Sequence, residues 1–432
     1  MSICTEINIV VYSLIPGFPK GELNQKQLLD FRENVPTMIT RKTSTNRVLL
    51  TACGISFVCF FGSYMRIPIV PLFATSLGAD SVQVGMINSA FMLMAGLLSI
   101  PSGLASDLLG RRAPLLAGLL LLAASSFLLY WSGSPLQVAG IYILFGIGLA
   151  AFAPTLMSYV ADATPPEMLG QAYGWYTMAL YSGMTLGPAA GGFLGKTLGL
   201  RQVFLVSGGL IFVMFFVAFL FLPANPSGNL TVGARPPILP MLKKLLVNRP
   251  LIACLAATIG TCFGFGMFVT FMPLYVRNLG MNAGDVGYVF AAQALANALS
   301  RIPFGRLSDR VADRSMLVTL GLAGFAPSLA AFGLCEKPLS LMASAAAMGV
   351  SMGITFTALG ALIADVVPRE QRGLAMGCYN TCIYLGMMLC SASMGPVIRE
   401  AGFRTGFFLN GAAGLIVLFM YRFLYRRQNS AG

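Results

Sequence analysis

Twelve apolar runs follow one another from Val48 to about residue 425, each near the roughly 20 residues that a helix needs to cross hydrocarbon. They lie at about 48–76, 82–105, 114–132, 136–161, 170–195, 202–222, 250–276, 284–305, 316–335, 339–364, 373–397 and 405–425. The runs are too long for barrel strands and do not alternate, which excludes a membrane β-barrel. Only 10% of the residues are charged and the mean hydropathy is +0.77. A soluble domain carries about 25% charged residues, so lipid is the solvent for most of this chain.

The net charge of +13 does not point to nucleic acid, because the basic residues sit in short connections between apolar runs. Placing both termini in the cytoplasm puts Arg111, Arg112, Arg235, Lys243, Lys244, Arg249, Arg306, Arg310 and Arg314 inside, with few basic residues outside. That bias sets the expected orientation of a multi-pass protein, here of the cell's inner membrane. The chain has no histidine, which removes the commonest proton shuttle and metal ligand. Its nine cysteines form no Cys-x-x-Cys, and most lie inside apolar runs as small hydrophobes. No catalytic set, metal site or cofactor is expected, and the chain is not read as an enzyme.

Residues 1–47 form an N-terminal tail expected to be disordered. The longest connection, 223–249, is a proline-rich cytoplasmic linker, within which Met241–Val247 has the pattern of a short surface helix. It separates a first bundle, 48–222, from a second, 250–425, and 426–432 form a cytoplasmic tail. The two bundles repeat one another. At an offset of 202, Pro71, Gly78, Gly103, Ser106, Asp107 and Arg112 fall on Pro273, Gly280, Gly305, Ser308, Asp309 and Arg314. At an offset of 203, Asp162, Gly170, Tyr176, Tyr181 and Gly183 fall on Asp365, Gly373, Tyr379, Tyr384 and Gly386. Six spans repeated in the same orientation imply two bundles related by an axis along the membrane normal, with a solute site between them. The expected fold is an all-α membrane protein of twelve transmembrane helices in two six-helix bundles.

The connection after the second span reads Gly103-Leu-Ala-Ser-Asp107-Leu-Leu-Gly110-Arg111-Arg112. It resembles the signature of major facilitator superfamily transporters, and the resemblance covers residues 48 to about 425. The fifth span carries Gly183, Gly187, Pro188, Gly191 and Gly192 in a pattern similar to the twelve-span drug:proton antiporters. The resemblance implies alternating access, with Asp107 latching an inner gate near Gly373–Ala375 and Asp309 doing the same near Gly170–Ala172. Arg111, Arg112, Gly305, Arg310, Asp162 and Asp365 belong to the same charged turns. The second copy departs from the pattern, because Ala312 and Asp313 stand where Gly110 and Arg111 stand. Antiporters of the family usually carry an arginine in the fourth span, four residues before a glycine; here Tyr142 precedes Gly146.

Gly183, Gly187 and Gly191 recur every four residues and so share one helix face on which another helix can approach closely. This face is read either as packing or as a leak-tight contact between the halves. Arg66 lies near mid-membrane, where an arginine is costly against lipid and normally faces a cavity or a partner. It is read as an anion-attracting group of the central cavity. Asn88, Tyr142, Tyr176, Gln293, Asn297, Tyr379 and Asn380, with Tyr64, are further candidates to line that cavity, or else to pack helices. The expected function is secondary active transport of a small organic solute by a monomer, of the efflux type, with a proton as candidate coupling ion. Two alternatives stand beside it: uptake or exchange of a small organic anion through Arg66, and a non-transporting sensor or assembly protein on the same scaffold.

Overall fold

The computed structural model describes residues 46–165, 168–223, 245, 247–311, 313–368 and 371–429. The expected disordered tail, apart from its last two residues, and nearly all of the linker with its surface helix lie outside the described residues. Twelve helices run in order: α1 (Asn46–Ser76), α2 (Ser81–Leu108), α3 (Arg112–Trp131), α4 (Pro135–Ala163), α5 (Leu169–Thr197), α6 (Leu200–Phe221), α7 (Arg249–Asn278), α8 (Ala283–Arg310), α9 (Arg314–Phe332), α10 (Pro338–Val366), α11 (372–401) and α12 (403–429). Hydrocarbon offers the backbone no hydrogen bonds, so each apolar run closes its bonds within a helix. Among the described residues, nine helical segments are long and apolar enough to cross a membrane, the last of them spanning both α11 and α12. α5 and α8 fall short by that measure.

The repeat is visible in the joints. Asp80 caps α2 by accepting from the Gln83 amide at 2.8 Å, and Asn282, at the same offset, caps α8 with Asp285 closing the box. The turns before them need a left-handed residue, supplied by Gly78 (φ 92°) and Gly280 (φ 79°). The close helix contacts repeat as well. A Cβ on Gly146 would strike the Phe91 carbonyl oxygen of α2 at 2.5 Å, and one on Gly349 would strike α8 at Gln293 and Asn297, the repeat partners of Phe91 and Ala95.

The end carrying the two charged turns is called inner here and the opposite end outer. The halves meet along two seams, α2 on α11 and α5 on α8. At the outer end these seams are tight. The Ser81 hydroxyl donates to the Gly395 carbonyl at 2.9 Å, and the Cβ that a substitution would place on Gly192 would lie 2.5 Å from Gly287 Cα. Arg277 Nη1 reaches the Leu72 carbonyl across the halves at 3.3 Å. The α2 seam then opens along its length. A Cβ on Gly85 would collide with the Ser391 carbonyl, one on Gly96 would stand 3.1 Å from Tyr384 Cβ, and one on Gly103 would meet nothing within 4 Å. Gly377, Gly174 and Gly170, near the inner ends of α11 and α5, also face open space.

The buried apolar residues divide accordingly. One continuous cluster takes in the first half together with the outer and middle parts of the second, including Phe73, Phe204, Phe271, Tyr275 and Phe407. A separate cluster, including Leu255, Leu322, Leu359 and Tyr421, fills the inner part of the second half. The two halves therefore share a core toward the outer end, and the inner part of the second half packs on its own.

A leucine at Gly85 has to displace the Ser391 backbone and wedge the outer seam apart. In a background without native cysteines, Ser391→Cys, whose parent side chain is fully buried, is expected to resist an impermeant maleimide applied from the outer side. It is expected to react once Gly85→Leu is added. Equal protection in both would show that the seam is not what closes the outer end.

Candidate functional site

The charged turn after α2 is pinned by Arg111. Its Nε donates to Asp162 Oδ2 at 2.8 Å, while Nη1 reaches Ser106 Oγ at 2.8 Å and pairs with Asp107. Partial burial works against the Arg111 charge, but the hydrogen bond and attraction from Asp162, with Asp107, outweigh it and raise its pKa. Gly110 makes the turn at φ 80°. Arg112 crosses to α6, donating to the Phe219 carbonyl with its guanidinium carbon 5.3 Å from the Phe219 ring centre. In the second half the same task falls to a different arginine. Arg314 bonds Asp365 at 2.5 Å and the Ser308 carbonyl at 3.1 Å. The shift of one position follows from Asp313, which stands where Arg111 does and instead caps α9 through the Ser315 amide. Arg310 is exposed, and a Cβ on Gly305 would only touch Thr357 at 3.8 Å. The side chain of Asp309 lies outside the described residues.

Arg66 stands in the break of α1. Pro68 has no N–H, and the chain passes residues 66–68 as a turn, with Ile67 bonding the Tyr64 carbonyl and Ile69 that of Arg66. Its guanidinium is fully buried inside the first half. Nη1 donates to Ser125 Oγ at 2.9 Å and Ser126 Oγ at 2.8 Å on α3, and the group lies 3.7 Å from the Phe145 ring centre on α4. Ser126 lies 3.3 Å from Ser207, whose hydroxyl bonds the Gly62 carbonyl, so the network ties α1, α3 and α6. Tyr142 packs beside Phe145 at 5.6 Å between ring centres. Arg66, expected above as a cavity anion site, is thus enclosed within the first half, where hydroxyls and an aromatic face stabilise the cation and no carboxylate among the described residues pairs with it.

The other candidates separate in the same way. Asn88, Tyr142, Tyr176 and Gln293 are buried; Tyr176 bonds the Ala153 carbonyl at 3.4 Å and Gln293 approaches Met352 Sδ at 3.5 Å, each within its own half. Asn297 and Tyr379 are half-buried and Asn380 is exposed. The glycine face of α5 meets α1, not the other half. Cβ atoms on Gly183 and Gly187 would strike the Phe57 and Phe61 carbonyl oxygens at 2.5 and 2.6 Å, and one on Gly191 would collide with Met65. Pro188 is buried on the same helix, and a Cβ on Gly192 would strike α8 at Gly287.

A group that the sequence reading passed over stands where the seams begin to part. Arg301 of α8 places its guanidinium carbon 4.5 Å from the Tyr181 ring centre of α5, and its Nε donates to Asn297 Oδ1 at 2.9 Å. The Tyr379 phenol of α11 is within electrostatic reach of both Arg301 and Tyr181, and the Tyr64 phenol of α1 is within reach of those of Tyr181 and Tyr384. An arginine of α8 and a tyrosine of α5 thus meet directly across the halves. The available signal was the repeat itself, which pairs Tyr181 with Tyr384 and Tyr176 with Tyr379.

A buried arginine with Nε and Nη2 unbonded is costly, and replacing such a group by an apolar one of similar volume is often neutral or stabilising by about 1–4 kcal/mol. Arg66→Met is expected to leave the melting temperature unchanged or raised in purified protein. A fall of more than about 2 °C, on the order of 2 kcal/mol for a chain of this size, would mean that the serine bonds outweigh the burial cost.

Known proteins resemble this chain over most of its length. A relative from Methanocaldococcus jannaschii, an uncharacterized MFS-type transporter, is 24% identical over 342 residues, 79% of this chain and 88% of its own. The multi-drug resistance efflux pump PmrA of Streptococcus pneumoniae is 25% identical over 395 residues, 84% of this chain and 93% of its own. A bacterial homolog of the human lysosomal transporter Spinster, solved inward-facing and unoccupied, shares the fold with a TM-score of 0.76 at 16% identity, covering 89% of this chain and 97% of that one. The sequence pattern of the Major Facilitator Superfamily matches residues 52–284 and 257–431. The chain belongs to that superfamily and is a multi-pass membrane transporter by family.

Proposed function

We propose that this protein exports small amphipathic molecules by alternating access, and that the described conformation is open toward the cytoplasm. The observation that carries the reading is the graded α2–α11 seam, tight at Gly85, touching at Gly96 and open at Gly103. Two halves hinged on an outer contact leave a path that ends at the level of Arg301 and Tyr181. The alternate state requires the outer seams to part and the charged turns to close. Efflux relatives such as PmrA support the direction. In this reading the inner end is cytoplasmic, both termini lie there, the membrane is the cell's inner membrane, the protein works as a monomer, and no catalysis is involved.

A coupling proton needs a titrating group on the path. All fifteen acids fall in the tail, the connections or the ends of helices, so no carboxylate stands at mid-span. Asp107 and Asp162, held by Arg111, are the groups assigned to it: their bonds with Arg111 exchange when the turn engages or leaves the other half.

The test is flux in proteoliposomes, with fluorescent amphipathic dyes of both charges and with or without a pH gradient. Saturable flux of at least one dye is expected, accelerated by the gradient in the wild type and insensitive to it in Asp107→Asn/Asp162→Asn. Folded wild-type protein that moves none of them would favour the sensor or assembly alternative. Gradient dependence retained in the double variant would remove the proton role of this turn.

A further inference from the structure

We propose that the solute site is selective for aromatic anions, with Arg301 as its charge-recognising residue; this rests on the transport reading above. The argument begins with what surrounds the path. Of the basic residues that the sequence places within a span, Arg66 is spent inside the first half on Ser125, Ser126 and Phe145. Arg301 is the one among the described residues that lies between the halves. It sits about 27 Å along α8 from Ala283, taking 1.5 Å per residue, in a helix of 28 residues. Measured from the outer end of α8, that depth is near the inner edge of a hydrocarbon layer of about 30 Å. No carboxylate among the described residues pairs with it.

Its bonds hold it without neutralising it. Asn297 accepts from Nε at 2.9 Å and the Tyr181 ring lies against the guanidinium at 4.5 Å, so the plane of the group is fixed. A guanidinium presents parallel N–H groups matched to a carboxylate or sulfonate, and the Nη side is the part those contacts leave over. A cation that is half withdrawn from water and lacks a counter-charge gains most from a ligand that brings one. Beside it stands the phenol of Tyr181, with that of Tyr379 in electrostatic reach; phenols donate hydrogen bonds to an anion and offer ring edges and faces to an aromatic body. Tyr181 is 43% exposed, so protein leaves much of its ring uncovered. A lipophilic cation meets the opposite field at the same place: a fixed positive charge and no acid.

Charge-assisted hydrogen bonds are worth roughly 1.5–3 kcal/mol, which corresponds to about a ten- to hundredfold change in affinity. The experiment compares fluorescein, an aromatic anion, with ethidium, an aromatic cation, in proteoliposomes of wild type, Arg301→Gln and Arg301→Lys. The expected result is faster flux of fluorescein than of ethidium in the wild type. Arg301→Gln should lose fluorescein flux by about tenfold or more, with ethidium flux not lowered, and Arg301→Lys should retain an intermediate level. Wild-type protein that moves ethidium and not fluorescein would overturn the charge assignment while leaving the transport reading intact. Equal loss of both dyes in Arg301→Gln would likewise overturn it. If neither dye crosses, fluorescence polarisation of fluorescein with purified protein decides. Binding by wild type and Arg301→Lys that is absent in Arg301→Gln supports the anion site even as transport fails. No binding by the wild type overturns both.

Discussion

Hydrocarbon cannot accept or donate a hydrogen bond, and the architecture of this chain is a response to that deficit. Backbone groups close on themselves in twelve helices. Charged groups are driven to the helix ends, where the turns after α2 and α8 tie acids to arginines within each half. Helices hold one another through close approach at small residues, because apolar side chains gain nothing by leaving lipid for a neighbour. Gly146 on α2 and Gly349 on α8 show the same contact used twice.

Two arginines break the rule that charge stays at the ends, and their surroundings give them different work. Arg66 is enclosed by hydroxyls and an aromatic ring inside one half, tying three helices where proline breaks α1. Arg301 stands between the halves, fixed by Asn297 and Tyr181 but not neutralised among the described residues. The first is enclosed within its half, and the second is the charge proposed to meet a ligand. The seams that bring Tyr181 and Arg301 together are also those whose outer ends close and whose inner ends diverge. The proposed solute site lies where the tight outer seam gives way to the open inner end.

Much of the scaffold is legible in the chain. Apolar runs mark the helices because length and hydropathy are axial properties, and the offset repeat marks the halves, down to the paired caps Asp80 and Asn282. What is not legible is azimuth. Depth along a span showed Arg66 to be near mid-membrane, but not that it turns toward α3. Four-residue spacing showed that Gly183, Gly187 and Gly191 share a face, but the partner of that face is α1 and not the opposite half. Arg301 was passed over because it precedes the motif around Asp309 and reads as part of a charged turn, although α8 continues unbroken to Arg310.

Alternating access is tested most directly by two distances in one molecule. Spin labels at Asp80→Cys and Arg399→Cys, an ion pair at 3.6 Å in the described state, report the outer end. Labels at Gly103→Cys and Gly377→Cys report the inner end. With the native cysteines replaced and the protein in lipid, pulsed dipolar spectroscopy should find the outer pair close and the inner pair apart. Adding a transported dye should populate a second state in which the outer distance lengthens as the inner one shortens. Distances that lengthen together, or an inner pair already close without dye, would contradict a carrier rocking about this seam.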